Sequence, residues 1–175
     1  MTDTMSNVLS IDTTVATNGH GVRSPLTIWR LSPENPSDWA LLPVLLERAR
    51  QFIDRLDLLT PFPAMSMFLR AHWSTGSQQI ALWVGMRDGE MVGHAIGIIQ
   101  EQWGLRHATF VQVDLDRDAA PMTRAQLRWA LADMDAWTQS QGVTVQRMLT
   151  KRSPEVWKRI TGYELEAYIL KKEVR

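Results

Sequence analysis

The order of apolar and polar positions divides most of this chain into short strands and amphipathic helices. Pro25 to Leu31, PLTIWRL, alternates as a first strand does. Ser32 to Asp38, SPENPSD, is dense in turn formers and reads as a linker. From Leu41, the run LLPVLLERARQFIDRLDLL repeats apolar residues at helical spacing and predicts a first helix, with Pro43 tolerated because it falls in the first turn. Thr60 to Pro63 interrupts it. AMSMFLRAHW then predicts a second, shorter helix, followed by the loop STGSQ.

The strongest β signal follows. Ile80 to Gly85 and Met91 to Gln100 flank Arg87-Asp88-Gly89-Glu90, and Asp-Gly between two β-rich runs predicts a tight hairpin. A further strand from His107 to Leu115, after a turn at Gly104, extends it into a three-stranded antiparallel meander. Thr123 and Gln126 form a T-x-x-Q capping box at the head of a long helix whose apolar face is Leu127, Leu131, Met134 and Trp137. Gly142 closes that helix. A strand (Val143 to Leu149), a short helix (Pro154 to Ile160), a turn at Gly162 and a last strand complete the chain. The order β-α-α-β-β-β-α-β-α-β implies an α/β (mixed α+β) fold. About six strands form a central mixed sheet, flanked on both faces by about four helices, because the crossover helix Thr123 to Gln141 joins its neighbouring strands in parallel.

Residues 1 to 24 break the pattern. They are rich in Thr, Ser, Asp and Asn, have no period, and predict a tail that is an interaction arm or disordered, ahead of one domain over residues 25 to 175. With 175 residues, 45% of them apolar, the chain has enough length for one real core. A net charge of zero and a pI near 6.9 argue against nucleic acid or an anionic membrane as partner. The absence of cysteine removes disulfides, thiolate metal ligands and a Cys nucleophile, and a cytoplasmic location is the simplest expectation. No metal-ligand spacing and no G-x-S-x-G pattern is present. Lys151 to Arg159, KRSPEVWKR, reads as a solvated basic helix face. The eight Trp residues and the Arg-rich basic set are the types enriched at interface hot spots, so some of them are candidates for protein contact.

Three phrases carry a family resemblance over about residues 25 to 173. LWVGMRDGEMVGHAIGII resembles the paired second and third strands of the GNAT superfamily of acyl-CoA-dependent N-acetyltransferases. AWTQSQGVTV is similar to the helix, Gly, strand step after that family's cofactor loop, and VWKRITGYELEAYILKKEV to its last helix, Gly-aromatic turn and final strand. The resemblance implies a pyrophosphate cradle at about Ala119 to Arg124, where the family has an Arg/Gln-x-x-Gly-x-Gly/Ala turn. This chain reads AAPMTR. It has no glycine, Pro121 lacks an N–H, and Asp114, Asp116 and Asp118 stand nearby, with Arg117 and Arg124 as the offsetting cations.

If acyl-CoA binds, the implied contacts are Val113 and Leu115 on the preceding strand and Thr123, Arg124 and Ala125 at the helix start. The family's acid Tyr, four residues before Gly162, is replaced by Lys158. Tyr163 is nearby, at a turn position that usually packs. Glu101, His94 and His107 lie on or beside the central strands and are the candidate general bases. Two readings follow. The first is a GNAT fold without acyl transfer and without cofactor. It serves as a structural or interaction subunit that meets protein partners, or a second copy, through the tail and exposed Trp and Arg; a bacteriophage virion component is one concrete form. The second is an N-acetyltransferase using acetyl-CoA with an atypical turn. A third is a small-molecule sensor. The missing glycines and the missing Tyr favour the first.

Overall fold

The computed structural model describes residues 24–56, 61–102, 104–115 and 122–148. The strands are β1 (Thr27–Arg30), β2 (Ile80–Arg87), β3 (Glu90–Gln102), β4 (Leu105–Leu115) and β5 (Gln146–Met148); the helices are α1 (Pro36–Trp39), α2 (Leu41–Leu56), α3 (Phe62–Ser74) and α4 (Arg124–Ser140). The sheet order is β1-β2-β3-β4-β5. The first four strands are antiparallel and β5 is parallel to β4, as the crossover through α4 requires. The predicted last helix and strand, with Tyr163 and the basic run Lys151 to Arg159, lie outside the described residues, as do residues 1–23 of the tail.

The β2–β3 hairpin is built as its sequence requires. Asp88 and Gly89 have φ of 52° and 80°, the two positive values of a type I′ turn, and Arg87 pairs with Glu90. Two irregularities then bend the sheet. β3 carries Val92 as an extra residue against Gly85 and Met86, and β4 carries Val111 as an extra residue against Ile96 and Gly97.

Each face of the sheet has its own core. On one, Leu45, Leu69, Leu82 and Ile96 pack α2 and α3 against β2 and β3. On the other, Trp83, Phe110 and Trp137 meet in a three-ring cluster with centroids 5.6–6.1 Å apart, under α4. The Trp83 indole N–H donates to Asp133 on α4 at 2.7 Å, so the buried ring keeps its polar atom satisfied.

Several local expectations shift. Ser32 to Asp38, read as a linker, holds the start of α1, because Asn35 caps it by accepting from the Ser37 N–H and buried Asp38 accepts from the Ser32 N–H at 2.8 Å. α3 starts at Phe62, with Pro63 in its first turn, where the missing N–H costs nothing. The buried face of α4 is Gln126, Ala130, Met134, Trp137 and Thr138, while Leu127 and Leu131 are only half-buried. The face turns towards Gln126 because that side chain finds internal partners. Trp129, which is not on the predicted apolar face, is half-buried beside Leu26, Ile28 and Val92.

Gly97 is where the aromatic cluster approaches the sheet: a Cβ there would lie 2.8 Å from Trp137 Cζ3 and 3.2 Å from Phe110 Cε1. Gly97→Ala is therefore expected to lower unfolding free energy by about 1–3 kcal/mol through overpacking. Urea denaturation measures it, and an unchanged midpoint would show that the rings yield without cost.

Candidate functional site

The most polar part of the interior lies where β3 and β4 meet α2. His94 of β3 and Asp114 of β4 are directly paired, and Gln112 is two residues along β4 on the same face. His94 is buried, with its Nε2 2.8 Å from Gln112 Oε1. The Gln112 amide nitrogen donates to the Ala49 carbonyl at 3.3 Å, which leaves Oε1 as the acceptor and puts the imidazole proton on Nε2. Nδ1 is then a buried acceptor with no partner among the described residues. The Phe52 ring stands edge-on to the imidazole at 6.1 Å between centroids.

Asp114 is not a bare negative charge. Arg55 Nη2 donates to its Oδ1 at 2.6 Å, and Arg48 Nη2 lies 3.6 Å from Oδ2. Arg48 also donates to the carbonyls of Met91 and Val92, at 2.8 and 3.3 Å, where β3 bulges. The repulsion that Asp114 was expected to exert on an anion is offset by these two guanidiniums; Asp116 and Asp118 lie outside the described residues. Burial pushes the His94 pKa below its ordinary value. Its bond to Gln112 and the Asp114 charge oppose that shift, and Arg48 and Arg55 reinforce it. A neutral imidazole with one free acceptor nitrogen is chemically a base, but this one is enclosed.

The other candidate bases are elsewhere. His107 pairs with Gln100 and Glu101 with Arg106, at the opposite end of β3, six or seven residues or about 20 Å from His94. His107 is buried; Arg147 Nη1 donates to its Nε2 at 3.1 Å, and Nδ1 faces the Leu105 carbonyl at 3.4 Å. Glu101 is exposed. No common centre unites His94, His107 and Glu101.

The residues expected at a cofactor loop have definite roles. Val113 pairs with Ala95 and packs on the α4 side of the sheet; Leu115 pairs with Gly93 and packs beside Leu26 and Ile28. At the head of α4 the capping box is complete. Thr123 Oγ1 accepts from the Gln126 N–H at 3.2 Å, and the Thr123 N–H donates to Gln126 Oε1 at 2.9 Å. The Gln126 amide nitrogen reaches back to the Leu26 carbonyl at 2.7 Å. Two donors of this helix end are thus engaged by the chain itself, and the Arg124 and Ala125 N–H groups are those left for an anion. A pyrophosphate cradle needs several convergent N–H groups, so the described part of the turn fits that ligand poorly.

Sequence reasoning missed Arg48, Phe52, Arg55 and Gln112. A signal existed, since Arg48, Phe52 and Arg55 fall at i, i+4 and i+7 and share one face of α2.

No family model and no curated protein sequence matches the chain. Solved structures do. An aminoglycoside acetyltransferase from an uncultured soil metagenomic sample, solved with trehalose, is 14% identical with a TM-score of 0.56, over 86% of this chain and 97% of that one. A predicted acetyltransferase from Clostridium acetobutylicum, solved with acetyl-CoA, is 11% identical with a TM-score of 0.60, over 85% and 96%. Glucosamine-6-phosphate N-acetyltransferase from Arabidopsis thaliana is 12% identical with a TM-score of 0.57, over 87% and 100%. The chain has the fold of the GNAT acetyltransferases; identities this low establish the fold alone. No helix among the described residues is long and apolar enough to cross a membrane.

The lowered pKa of His94 fixes a sign. As pH falls, the unfolded chain takes up the His94 proton before the folded one does. Its contribution to stability is therefore complete above the ordinary histidine pKa of about 6.5 and is lost below it, at up to about 1.4 kcal/mol per pH unit. Urea unfolding at pH 7.5 and 5.5 should show a larger acid loss for the natural chain than for His94→Gln. Equal losses would show that His94 titrates alike in both states.

Proposed function

We propose that this chain uses the GNAT fold for binding rather than for acyl transfer, as a protein-interaction subunit of a larger assembly. The observation that carries this reading is the closed head of α4, where Thr123 and Gln126 bond to each other's backbone and Gln126 is anchored on Leu26. In that position a phosphate would have to displace a cap whose loss alone costs about 1 kcal/mol, and it would meet neither glycines nor, at Pro121, an N–H. The dispersed bases support the same reading. His94 is enclosed, and His107 and Glu101 stand at the far end of the sheet.

Acetyl-CoA titrated into the protein by calorimetry is expected to give no saturable heat at micromolar concentrations and no rise in melting temperature. A ligand at 100 times its Kd would add about 2.7 kcal/mol of stability, so the effect is easily seen if present. Micromolar affinity would overturn the proposal in favour of an N-acetyltransferase. In parallel, Thr123→Ala should lower stability by about 1 kcal/mol, as expected of a helix cap; a gain in acetyl-CoA affinity on uncapping would identify the box as the block.

A further inference from the structure

α3 is apolar on two sides. Met65, Leu69 and Trp73 are its buried stripe. On the opposite side, Ala64, Met67, Phe68 and Ala71 recur at i, i+3, i+4 and i+7 and are all exposed, with Met67 at 72% and Phe68 at 37%. The solvent face of a helix ordinarily carries charge, and this stripe carries none. Beside it runs a groove of about 530 Å³ lined by Trp39, Leu42, Pro43, Arg70, Ala71 and Ser74, with Trp39 itself 42% exposed.

We infer that the occupant of this face is α3 of a second copy of the chain, packed antiparallel about a two-fold axis between Met67 and Phe68. The inference rests on the interaction reading above and names its partner. The stripe is self-complementary: the two-fold sets Ala64 opposite Ala71 of the other copy and Met67 opposite Phe68, so the small residues let the backbones approach on either side of a central Met/Phe contact. The stripe itself brings no like charges together; Arg70, exposed at its margin beside the groove, contributes its stem to the face. The area is also consistent. Met67, Phe68 and Trp39 expose on the order of 300 Å², and with the alanines, Pro63, Ser74 and the Arg70 stem the face reaches about 600 Å². A symmetric pair then hides about 1,200 Å², the lower end for a stable specific interface, so the dimer should be reversible.

Sedimentation equilibrium of the full chain tests this. A monomer–dimer equilibrium is expected, and Met67→Glu should leave a monomer that melts as the natural chain does at concentrations below its dimer Kd. The chain has no cysteine of its own, so Ala64→Cys and Ala71→Cys each introduce a unique thiol. Under mild oxidation, a mixture of the two variants should form the mixed disulfide, joining position 64 of one copy to position 71 of the other, well above either homodisulfide. Homodisulfides in excess would mean a parallel pairing and overturn the geometry. A natural chain that stays monomeric at every concentration, whether the face is bare or covered by residues 1–23, overturns the inference. A dimer untouched by Met67→Glu also overturns it, while leaving the interaction reading intact; acetyl-CoA affinity, measured separately, decides that reading.

Discussion

β3 is buried on both faces from Met91 to Ile99, and the rest of the interior is arranged around that constraint. A strand with no solvent on either side has to satisfy each polar group from within, since an unmet buried donor or acceptor costs about 1–3 kcal/mol. The backbone of β3 is met by β2 and β4. Where the ladder slips at Val92, Arg48 reaches from α2 to the Met91 and Val92 carbonyls. Where the strand presents a histidine, Gln112 accepts from it and Ala49 accepts from Gln112. Where the Trp137 and Phe110 rings close on the strand, the residue they meet is Gly97. α2 thus serves as the polar complement of β3 as much as its apolar cover.

The same end of the sheet holds two polar networks with different logic. The His94–Gln112–Asp114 group joins β3 and β4 to α2, and its charge is balanced by two arginines on one aspartate. The Thr123–Gln126 group joins the head of α4 to the residue before β1. They lie on opposite faces of the sheet, so neither supports the other directly. Each is largely internal, with His94 Nδ1 in the first left without a partner among the described residues.

The parts of this arrangement legible in the sequence are those decided within a few residues. Asp88-Gly89 fixes its hairpin because only small or flexible residues accept two positive φ values in succession, and the Thr123/Gln126 box spans three positions. The parallel step from β4 to β5 follows from the length of the crossover. Other features depend on distant partners. Gln126 looks like a cap from sequence and is also a buried anchor, because its third partner is 100 residues away. His94 and Gln112 are 18 apart, and Arg55 and Asp114 are 59 apart, so no local pattern announces them. The long helix is legible as a helix, but its buried face is rotated by part of a turn from the predicted one, since apolarity alone points to Leu127 and Leu131.

The apolar side of a helix and its buried side need not coincide. A helix buries the side on which its groups find partners, polar or not, so an apolar side left outside is informative only when the buried side is already complete. In α4 it is not a simple contrast, because polar Gln126 and Thr138 are inside while Leu127 and Leu131 are half out. In α3 it is. Met65, Leu69 and Trp73 fill the core contact, whereas Met67 is mostly in solvent and Phe68 packs on its own helix, with its ring 4.2 Å from that of His72. Keeping two large apolar groups in water favours association and carries a solubility penalty. The two regions therefore differ in kind: α3 completes its core contact and still leaves an apolar side exposed, whereas the β3–β4 end of the sheet is mostly met from within, with the His94 Nδ1 atom left over.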